Sequence, residues 1–160
     1  MIFLTVGSHE PFDRLIRAMD LWCAANPGRE VFGQITDHGS YRPQNFASTG
    51  QMDAQAYQQK CLEAECLVSH AGMGSILTAL DLAKPIVIMP RRGHLKETRN
   101  DHQFSTAREF RGKPGIFVAD DEAVLAEALG SALTTRAGEG AAPRFAQDRL
   151  IRFLAALAQG

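Results

Sequence analysis

The chain has 160 residues and a formal net charge of -1, with 17 Lys+Arg against 18 Asp+Glu. This balance gives no support for nucleic-acid binding or a polybasic membrane anchor, because both need an excess of clustered positive charge. No apolar run reaches the roughly 18 residues of a membrane span, and the N-terminus lacks the basic region of a secretory signal. We therefore predict one globular domain over residues 1–160, with its core over about 1–135 and no leader before its first strand.

Apolar runs alternate with amphipathic segments along the chain. The predicted strands are Ile2–Val6, Glu30–Ile35, Asn45–Ser48, Cys66–Val68, Ile86–Met89 and Ile116–Val118. The predicted helices are Pro11–Ala25, Ala54–Ala64, Ser75–Ala83, Asp101–Phe110, Glu122–Leu133 and Phe145–Ala158, with a flexible Gly/Ala patch at Ala137–Ala142. This alternation predicts an α/β fold: a doubly wound, mostly parallel, Rossmann-like sheet covered by helices on both faces.

The three cysteines, Cys23, Cys61 and Cys66, make an odd count without metal-type spacing. All of them lie in segments predicted as helix or buried strand. We expect reduced, packed thiols in a cytosolic protein.

Three polar segments follow predicted strands: Gly7-Ser8-His9-Glu10, Ser69 to Ser75, and Pro90 to Gln103. Ligands of parallel sheets bind beyond the carboxyl ends of the strands, so we expect these loops to converge on one site. The segment His70-Ala71-Gly72-Met73-Gly74-Ser75 joins a buried strand to an amphipathic helix, and the first N–H groups of a helix attract anions. It predicts a phosphate-binding turn, with an ordinary strand-to-helix turn as the alternative.

Four motifs together resemble the glycosyltransferase family 28 C-terminal domain, the nucleotide-sugar-binding half of GT-B glycosyltransferases. They are Thr5-Val6-Gly7-Ser8-His9-Glu10-Pro11-Phe12-Asp13-Arg14-Leu15, the turn from His70 to Ser75, Lys84-Pro85, and Arg99-Asn100-Asp101-His102-Gln103. The resemblance covers at least residues 1 to 130. It is strongest to the small catalytic subunits of split bacterial exopolysaccharide glucuronosyltransferases, and extends to the catalytic subunit of the dolichol-pathway UDP-N-acetylglucosamine transferase.

This resemblance implies a donor-binding catalytic subunit of a heteromeric, inverting UDP-sugar transferase, with UDP-glucuronate as the expected donor. The UDP-sugar is then a substrate, no cofactor is expected, and the acceptor is a lipid-linked saccharide of exopolysaccharide or capsule biosynthesis. The missing GT-B half comes from a membrane-associated acceptor-binding subunit, without which the chain is inactive. The expected location is the cytoplasm, with recruitment to the inner face of the membrane through that partner.

The resemblance also suggests roles for individual residues. The amides around Gly72, Met73, Gly74 and Ser75, with the Ser75 hydroxyl, would stabilise the departing UDP, and Gly7 and Ser8 would close the other side of the diphosphate. His70 would donate to a phosphoryl oxygen or orient the loop. The pair His102-Gln103 resembles the residues that bind the donor sugar's hydroxyls. Asp101 lies beside this pair and is equally well explained as the N-cap of its helix.

Inverting transfer needs a base for the acceptor hydroxyl, and Glu10 or His9 lies on the loop best placed to supply it. The alternatives are a base in the acceptor half, with these two residues capping a helix or forming an interface. The scattered rim carboxylates predict no metal site. The chain departs from the family at the position that binds the ribose. Related transferases often carry a Glu eight residues beyond the histidine, where this chain has Thr78, and Asp81, one helical turn further on, is the candidate substitute.

Arg91, Arg92, Lys96 and Arg99 place four cations within nine residues. A guanidinium fork there would hold a glucuronate carboxylate or an acceptor phosphate, and a solvated charged loop is the alternative. The predicted C-terminal helix, within residues 143–159, carries an apolar stripe of Leu150, Ile151, Leu154 and Leu157. This stripe packs either on the domain's own sheet or at the interface with the partner.

Three function classes stay open at this point. The first is the transferase subunit, with UDP-N-acetylglucosamine as the alternative donor. The second is a non-catalytic UDP-binding module that regulates another protein. The third is a different UDP-sugar enzyme, such as an epimerase of the same architecture, which would have to turn over its substrate without a partner.

Overall fold

The computed structural model describes residues 1–135 of the chain. Its strands are β1 (Ile2–Thr5), β2 (Val31–Gln34), β3 (Ala47–Thr49), β4 (Cys66–His70), β5 (Ile86–Met89) and β6 (Ile116–Val118). They form one sheet in the order β3-β2-β1-β4-β5-β6, and every neighbouring pair is parallel. The predicted Rossmann-like sheet is confirmed. The predicted Ala137–Ala142 patch and Phe145–Ala158 helix lie outside the described residues.

The α-helices are α1 (Asp13–Ala25), α2 (Ala54–Glu63), α3 (Met73–Asp81), α4 (His102–Phe110) and α5 (Leu125–Thr134). Short 3₁₀ turns span Gly93–Leu95 and Glu122–Val124. Helix α1 begins at Asp13 rather than at the predicted Pro11, because the Pro11 carbonyl accepts a hydrogen bond from Arg91 instead of from the helix. Strand β4 continues beyond its predicted end to His70, and α3 begins two residues earlier than predicted.

Helices cover both faces of the sheet. Leu15, Ile16 and Met19 of α1 pack with Leu129 of α5 against one face. Residues of α2, α3 and α4, such as Ile76, pack against the other. The central strand β1 is buried along its whole length, as a strand covered on both faces must be. This rigid layer fixes where the loops at its carboxyl edge lie.

The cysteines are packed into these two cores as predicted. All three thiols are free and buried. Burial raises the pKa of Cys66 to about 12 and that of Cys23 to about 11, since a thiolate is disfavoured away from water. Both thiols are therefore protonated and unreactive near neutral pH.

The strand order reverses between β1 and β4. The connection after β1 leads to α1 on one face, and the connection after β4 leads to α3 on the other. Adjacent loops that diverge in this way leave a crevice at the carboxyl edge of the sheet, the usual ligand position in such folds. Across residues 1–135, no helix is both long and apolar enough to span a bilayer.

Candidate functional site

A cleft of about 270 Å³ opens at this crevice. It draws residues from the loops after β1 and β5, from the end of β4 and from α4, so the predicted loops do converge. Its lining residues are Val6, Gly7, Ser8, His9, Glu10, His70, Arg91 and Gln103. Seven of these eight belong to the candidate set drawn from the sequence.

Arg91 is the most heavily bonded residue of the cleft, and it is only 3% exposed. Its Nη2 donates to the carbonyls of Val6 and Glu10, both at 2.7 Å. Its Nη1 donates to the carbonyls of Pro11 at 2.6 Å and Glu97 at 3.0 Å. The guanidinium therefore fixes the path of the β1–α1 loop, and four backbone carbonyls occupy the fork that the sequence assigned to a ligand.

The loop that carries Arg91 is itself fastened to α1. Arg14 donates from Nε and Nη2 to the two carboxylate oxygens of Glu97, at 2.8 and 2.9 Å. Glu97 also accepts from the amide of Arg92 at 2.8 Å. The ring of Phe12 lies beneath both guanidiniums, 4.7 Å from Arg91 and 5.2 Å from Arg14. Charge and stacking thus join two segments that are more than 75 residues apart in sequence.

His70 ends β4 with its imidazole between two glycines. A Cβ atom at Gly7 would lie 3.2 Å from the ring, and one at Gly72 would collide with it. The Ser69 hydroxyl lies 3.3 Å from Nδ1. Burial, reinforced by the charge of Arg91, lowers the pKa of His70 to about 4. The ring is therefore neutral near pH 7, and the two glycines make room for it.

Helix α3 begins immediately beyond this ring. Gly72 is its N-cap and provides no side-chain cap, and a Cβ atom at Gly74 would meet nothing within 4 Å. The first N–H groups of the helix, at Met73, Gly74 and Ser75, have no acceptor within the helix. The Ser75 side chain is 8% exposed, and the hydroxyl donor expected there stays a prediction.

The segment from Arg92 to Gln103 folds back on itself. Asp101 occupies the N-cap position of α4, but its carboxylate accepts from the Gly93 amide at 2.9 Å instead of capping the helix. The Gln103 side-chain oxygen accepts from the amide of Arg91 at 3.1 Å. His102 is exposed in the first turn of the same helix.

Two further cations of this loop, Arg92 and Arg99, differ in exposure and in the contacts of their guanidinium groups. Arg92 donates from Nη2 to the Asp120 carbonyl at 3.4 Å, and its Nε is buried without a hydrogen-bond partner in residues 1–135. Arg99 is exposed and forms no ion pair with any described residue. Lys96 is likewise exposed and unpaired among the described residues, so Lys96 and Arg99 are the predicted cations most open to a ligand.

His9 and Glu10 lie at the mouth of the cleft. The Ser8 hydroxyl and His9 Nδ1 are 2.7 Å apart. Arg91 holds the Glu10 backbone carbonyl, whereas the Glu10 carboxylate accepts no hydrogen bond from any described residue. Glu10 is thus a fixed backbone position that carries a free carboxylate beside a guanidinium.

Two other predicted positions can be placed. Thr78 donates to the Gly74 carbonyl at 2.9 Å, one turn back along α3. The motif residue Lys84 donates to the carbonyls of Leu62 and Ala64 and so caps the carboxyl end of α2. Within residues 1–135, no group of three or more His, Cys, Asp or Glu side chains is arranged to hold a metal ion.

Sequence reasoning overlooked the pairing of Arg14 with Glu97. Arg14 lies within the first motif, whereas Glu97 lies in the loop after β5, and the two are 83 residues apart. No periodicity or spacing links residues at that separation. The compact fold alone brings them together.

Comparison with known proteins places this geometry in context. Residues 1–149 match the glycosyltransferase family 28 C-terminal domain. The NMR structure of ALG13 superposes with a TM-score of 0.63 at 18% identity, over 93% of each chain. The glycotransferase of kitacinnamycin gives a TM-score of 0.61 at 23% identity, covering 93% of this chain and 36% of that one.

A third similar structure is the UDP-GlcNAc 2-epimerase of Methanocaldococcus jannaschii in complex with UDP-GlcNAc and UDP. Its TM-score is 0.59 at 12% identity, over 97% of this chain and 45% of that one. The present chain thus spans less than half the length of these two larger proteins. No curated protein sequence matches it significantly. At these identities the structural likenesses show a shared fold.

Proposed function

The chain belongs to the glycosyltransferase family 28 C-terminal domain, and we propose that it is the donor-binding catalytic subunit of a UDP-sugar glycosyltransferase. The observation that carries this proposal is the arrangement at the strand-order reversal. There the cleft lined by Gly7, His70 and Gln103 lies beside the uncapped start of α3. A nucleoside diphosphate fits such a place, because the cleft is open to the ligand and the free amides at the helix start can bind its phosphates.

The diphosphate is proposed to bind at the amides of Met73, Gly74 and Ser75. These donors and the helix macrodipole together favour an anion, and the absence of a Cβ at Gly74 leaves the approach open. Gly7 and Ser8 would close the opposite side. We expect this site to stabilise UDP as it departs without a metal ion, since backbone donors already oppose the developing charge.

His70 is proposed to contribute a hydrogen bond rather than a positive charge. Its pKa of about 4 keeps the imidazole neutral at physiological pH, and the neighbouring glycines leave room for the ring. A phosphate next to the ring would favour its protonated form, so binding of UDP should raise this pKa. The exposed His102, with Gln103, is proposed to contact the donor sugar.

The base for the acceptor hydroxyl is proposed to be Glu10, with His9 as the second candidate. The Glu10 backbone is fixed by Arg91, while its carboxylate remains free to accept a proton at the cleft mouth. Inverting transfer requires the base on the face opposite the leaving UDP. A base on the partner remains the alternative, and the Glu10→Gln variant assayed with the partner distinguishes the two.

The size of the cleft supports a shared active site. About 270 Å³ is at or below the range of ligand pockets, roughly 300–1,000 Å³, so this cleft holds only part of a nucleotide sugar. The match to the structure of ALG13 extends over 93% of each chain, which is consistent with a subunit of this size. We propose that a membrane-associated subunit supplies the rest of the cleft and binds a lipid-linked saccharide, with exopolysaccharide or capsule assembly as the setting.

The donor sugar is proposed to be glucuronate, with N-acetylglucosamine as the alternative. Arg91 donates to backbone carbonyls, so recognition of a carboxylate falls to the other predicted cations of this loop, Arg92, Lys96 and Arg99. A thermal-shift panel of UDP, UDP-glucose, UDP-glucuronate and UDP-N-acetylglucosamine reports which ligand stabilises the fold. The variant combining Arg92→Ala with Arg99→Ala should weaken the binding of UDP-glucuronate more than that of UDP-glucose. Equal losses of affinity for the two ligands would argue against an acidic donor.

The test of the site itself is calorimetric titration of UDP into Gly74→Trp. A large side chain there should reduce UDP affinity at least tenfold (about 1.4 kcal/mol) while the melting temperature stays close to that of the wild type. Gly130→Trp is the matched control, because Gly130 is also helical and also has open space around it. Unchanged UDP affinity in Gly74→Trp would reject the α3 site. UDP binding without sugar transfer when the partner is present would instead indicate a regulatory nucleotide-binding module.

A further inference from the structure

The peptide bond between Val6 and Gly7, at the start of the β1–α1 loop, is held at both of its polar atoms. Its carbonyl oxygen, on Val6, accepts from Nη2 of Arg91 at 2.7 Å. Its N–H, on Gly7, donates to Oγ1 of Thr5 at 3.3 Å. Because a peptide unit is planar, with its C=O and N–H pointing in opposite directions, these two contacts fix the rotation of the whole unit.

The hydroxyl of Thr5 is itself oriented by a second buried side chain. Thr5 is the last residue of β1 and is 1% exposed. Its hydroxyl donates to Oε1 of Gln34 at 2.8 Å. Gln34 ends β2 and lies directly opposite Thr5 in the parallel register. A hydroxyl has one proton, and since Thr5 gives that proton to Gln34, its lone pairs are left to accept from the Gly7 amide.

The loop turns at Gly7, immediately after this peptide. The φ angle of Gly7 is +83°, in the left-handed region that glycine enters at little cost. A Cβ atom at this position would lie 3.2 Å from Cε1 of His70, so the turn brings the loop against the imidazole that lines the cleft. The contacts with Thr5 and Arg91 therefore set how closely the β1–α1 loop approaches this ring.

The same contact decides which amides of the loop a ligand can reach. The Gly7 N–H already has an acceptor in Thr5. The next two amides, those of Ser8 and His9, have no acceptor anywhere in residues 1–135. Both residues are exposed and line the cleft. An anion in the cleft would thus meet the amides of Ser8 and His9, while Gly7 supplies the turn that presents them.

We propose that Thr5, oriented by Gln34, is a positioning residue for the diphosphate of the donor. By holding the Gly7 amide, it keeps the amides of Ser8 and His9 turned toward the cleft. Thr5 itself is buried and acts only through the loop. The inference rests on the proposed function, because it concerns the same UDP site, and it names a residue that the site depends on without touching the ligand.

The contact itself can be tested by removing the hydroxyl. Thr5→Val keeps a β-branched side chain, which suits a buried strand, whereas Thr5→Ser keeps the hydroxyl. By NMR of the isotope-labelled full-length protein, the Gly7 amide of Thr5→Val should exchange with solvent at least about tenfold faster than that of the wild type. Thr5→Ser should restore slow exchange. Equal Gly7 exchange rates in the wild type and Thr5→Val would show that Thr5 does not hold this amide.

The affinity for UDP tests the effect on the site. In calorimetric titrations, Thr5→Val should bind UDP at least about fivefold more weakly than the wild type, and Thr5→Ser should stay within about twofold of the wild type. The control for general destabilisation is Ile2→Val. Ile2 is fully buried at the other end of the same strand, so its replacement should lower the melting temperature and leave UDP affinity unchanged.

Gln34→Met is the second variant if Thr5→Val folds poorly. Methionine keeps a long unbranched side chain but removes the acceptor that orients the Thr5 hydroxyl. It should accelerate exchange of the Gly7 amide and weaken UDP binding, each by at least about twofold. Unchanged exchange and affinity in Gln34→Met would contradict its orienting role.

The outcomes separate this inference from the proposed function. A wild-type protein that fails to bind UDP would reject the proposed function, and the positioning role with it. A wild-type protein that binds UDP, with Thr5→Val binding it equally well, would overturn the positioning role alone. A loss of affinity that Thr5→Ser or Ile2→Val shares would also overturn it, because the loss would then not depend on the hydroxyl.

Discussion

The two loops beside the cleft are held in opposite ways. The β1–α1 loop is shaped by a guanidinium from the loop after β5, which holds the carbonyls of Val6, Glu10 and Pro11. At the start of α3 the groups that must fit together, Gly72 and the ring of His70, are only two residues apart in sequence. The first loop therefore depends on tertiary contacts, whereas the second is encoded by its own residues. Substitutions in the two loops should therefore have different effects on the stability of the fold.

The largest effect is expected from Arg91→Met, which leaves four buried or half-buried carbonyls without their donor. We expect the free energy of unfolding to fall by about 3–5 kcal/mol in urea titrations, since uncompensated polar groups are costly in a core. Arg91→Lys should recover little of the lost stability, because an ammonium group cannot reach several carbonyls as the planar guanidinium does. Arg99→Met, on an exposed side chain, is the control and should change stability by less than about 0.5 kcal/mol. Equal stabilities for Arg91→Met and Arg99→Met would show that the β1–α1 loop does not depend on this contact.

A somewhat smaller effect is expected from pH, through His70 between the two loops. The unfolded chain protonates this residue near pH 6.5, but the folded chain does so only near pH 4. The unfolded state therefore binds more protons across that window, and stability falls as the pH is lowered. The loss should approach about 3 kcal/mol by pH 4, at about 1.4 kcal/mol for each pKa unit.

Urea titrations at a series of pH values between 4 and 7 measure this dependence. His70→Gln should remove that part of the slope and leave the contributions of the carboxylates in place. If the wild type and His70→Gln lose stability in parallel between pH 6.5 and 4, the imidazole is not buried as described.

The smallest of the three effects concerns the two glycines of the α3 turn. The Gly72 backbone, at φ -98 and ψ 139, suits any residue, but an added Cβ would collide with the imidazole of His70. Gly72→Ala should therefore cost about 1–3 kcal/mol as the ring is displaced. Gly74→Ala meets open space and should be neutral or stabilise the helix by up to about 1 kcal/mol. Thermal unfolding of the pair gives the comparison, and equal melting temperatures would show that Gly72 is not needed to accommodate the ring.

Much of this architecture was predictable. Apolar runs such as Ile86–Met89 define buried strands, and the alternation with helices defines the parallel sheet and its two covered faces. Because parallel strands end at one edge, the convergence of the polar loops followed from strand order without any knowledge of contacts. The roles of individual side chains were harder to predict from the sequence. Arg91 was predicted to bind a ligand, yet its guanidinium donates to backbone carbonyls, whereas the hydroxyl of Ser75 remains a predicted donor.

The sequence by itself determined the element types, the sheet and the glycine turn before α3, because hydrophobic periodicity and backbone freedom act over a few residues. Only the tertiary structure decided that Arg14 pairs with Glu97 and that Arg91 donates hydrogen bonds to the β1–α1 loop. It also decided that His70, buried between Gly7 and Gly72, has a lowered pKa and is neutral near pH 7. Hydrogen bonding and burial depend on which groups meet in three dimensions. Residues more than 60 positions apart, such as Gly7 and His70 or Arg14 and Glu97, meet only once the sheet has formed.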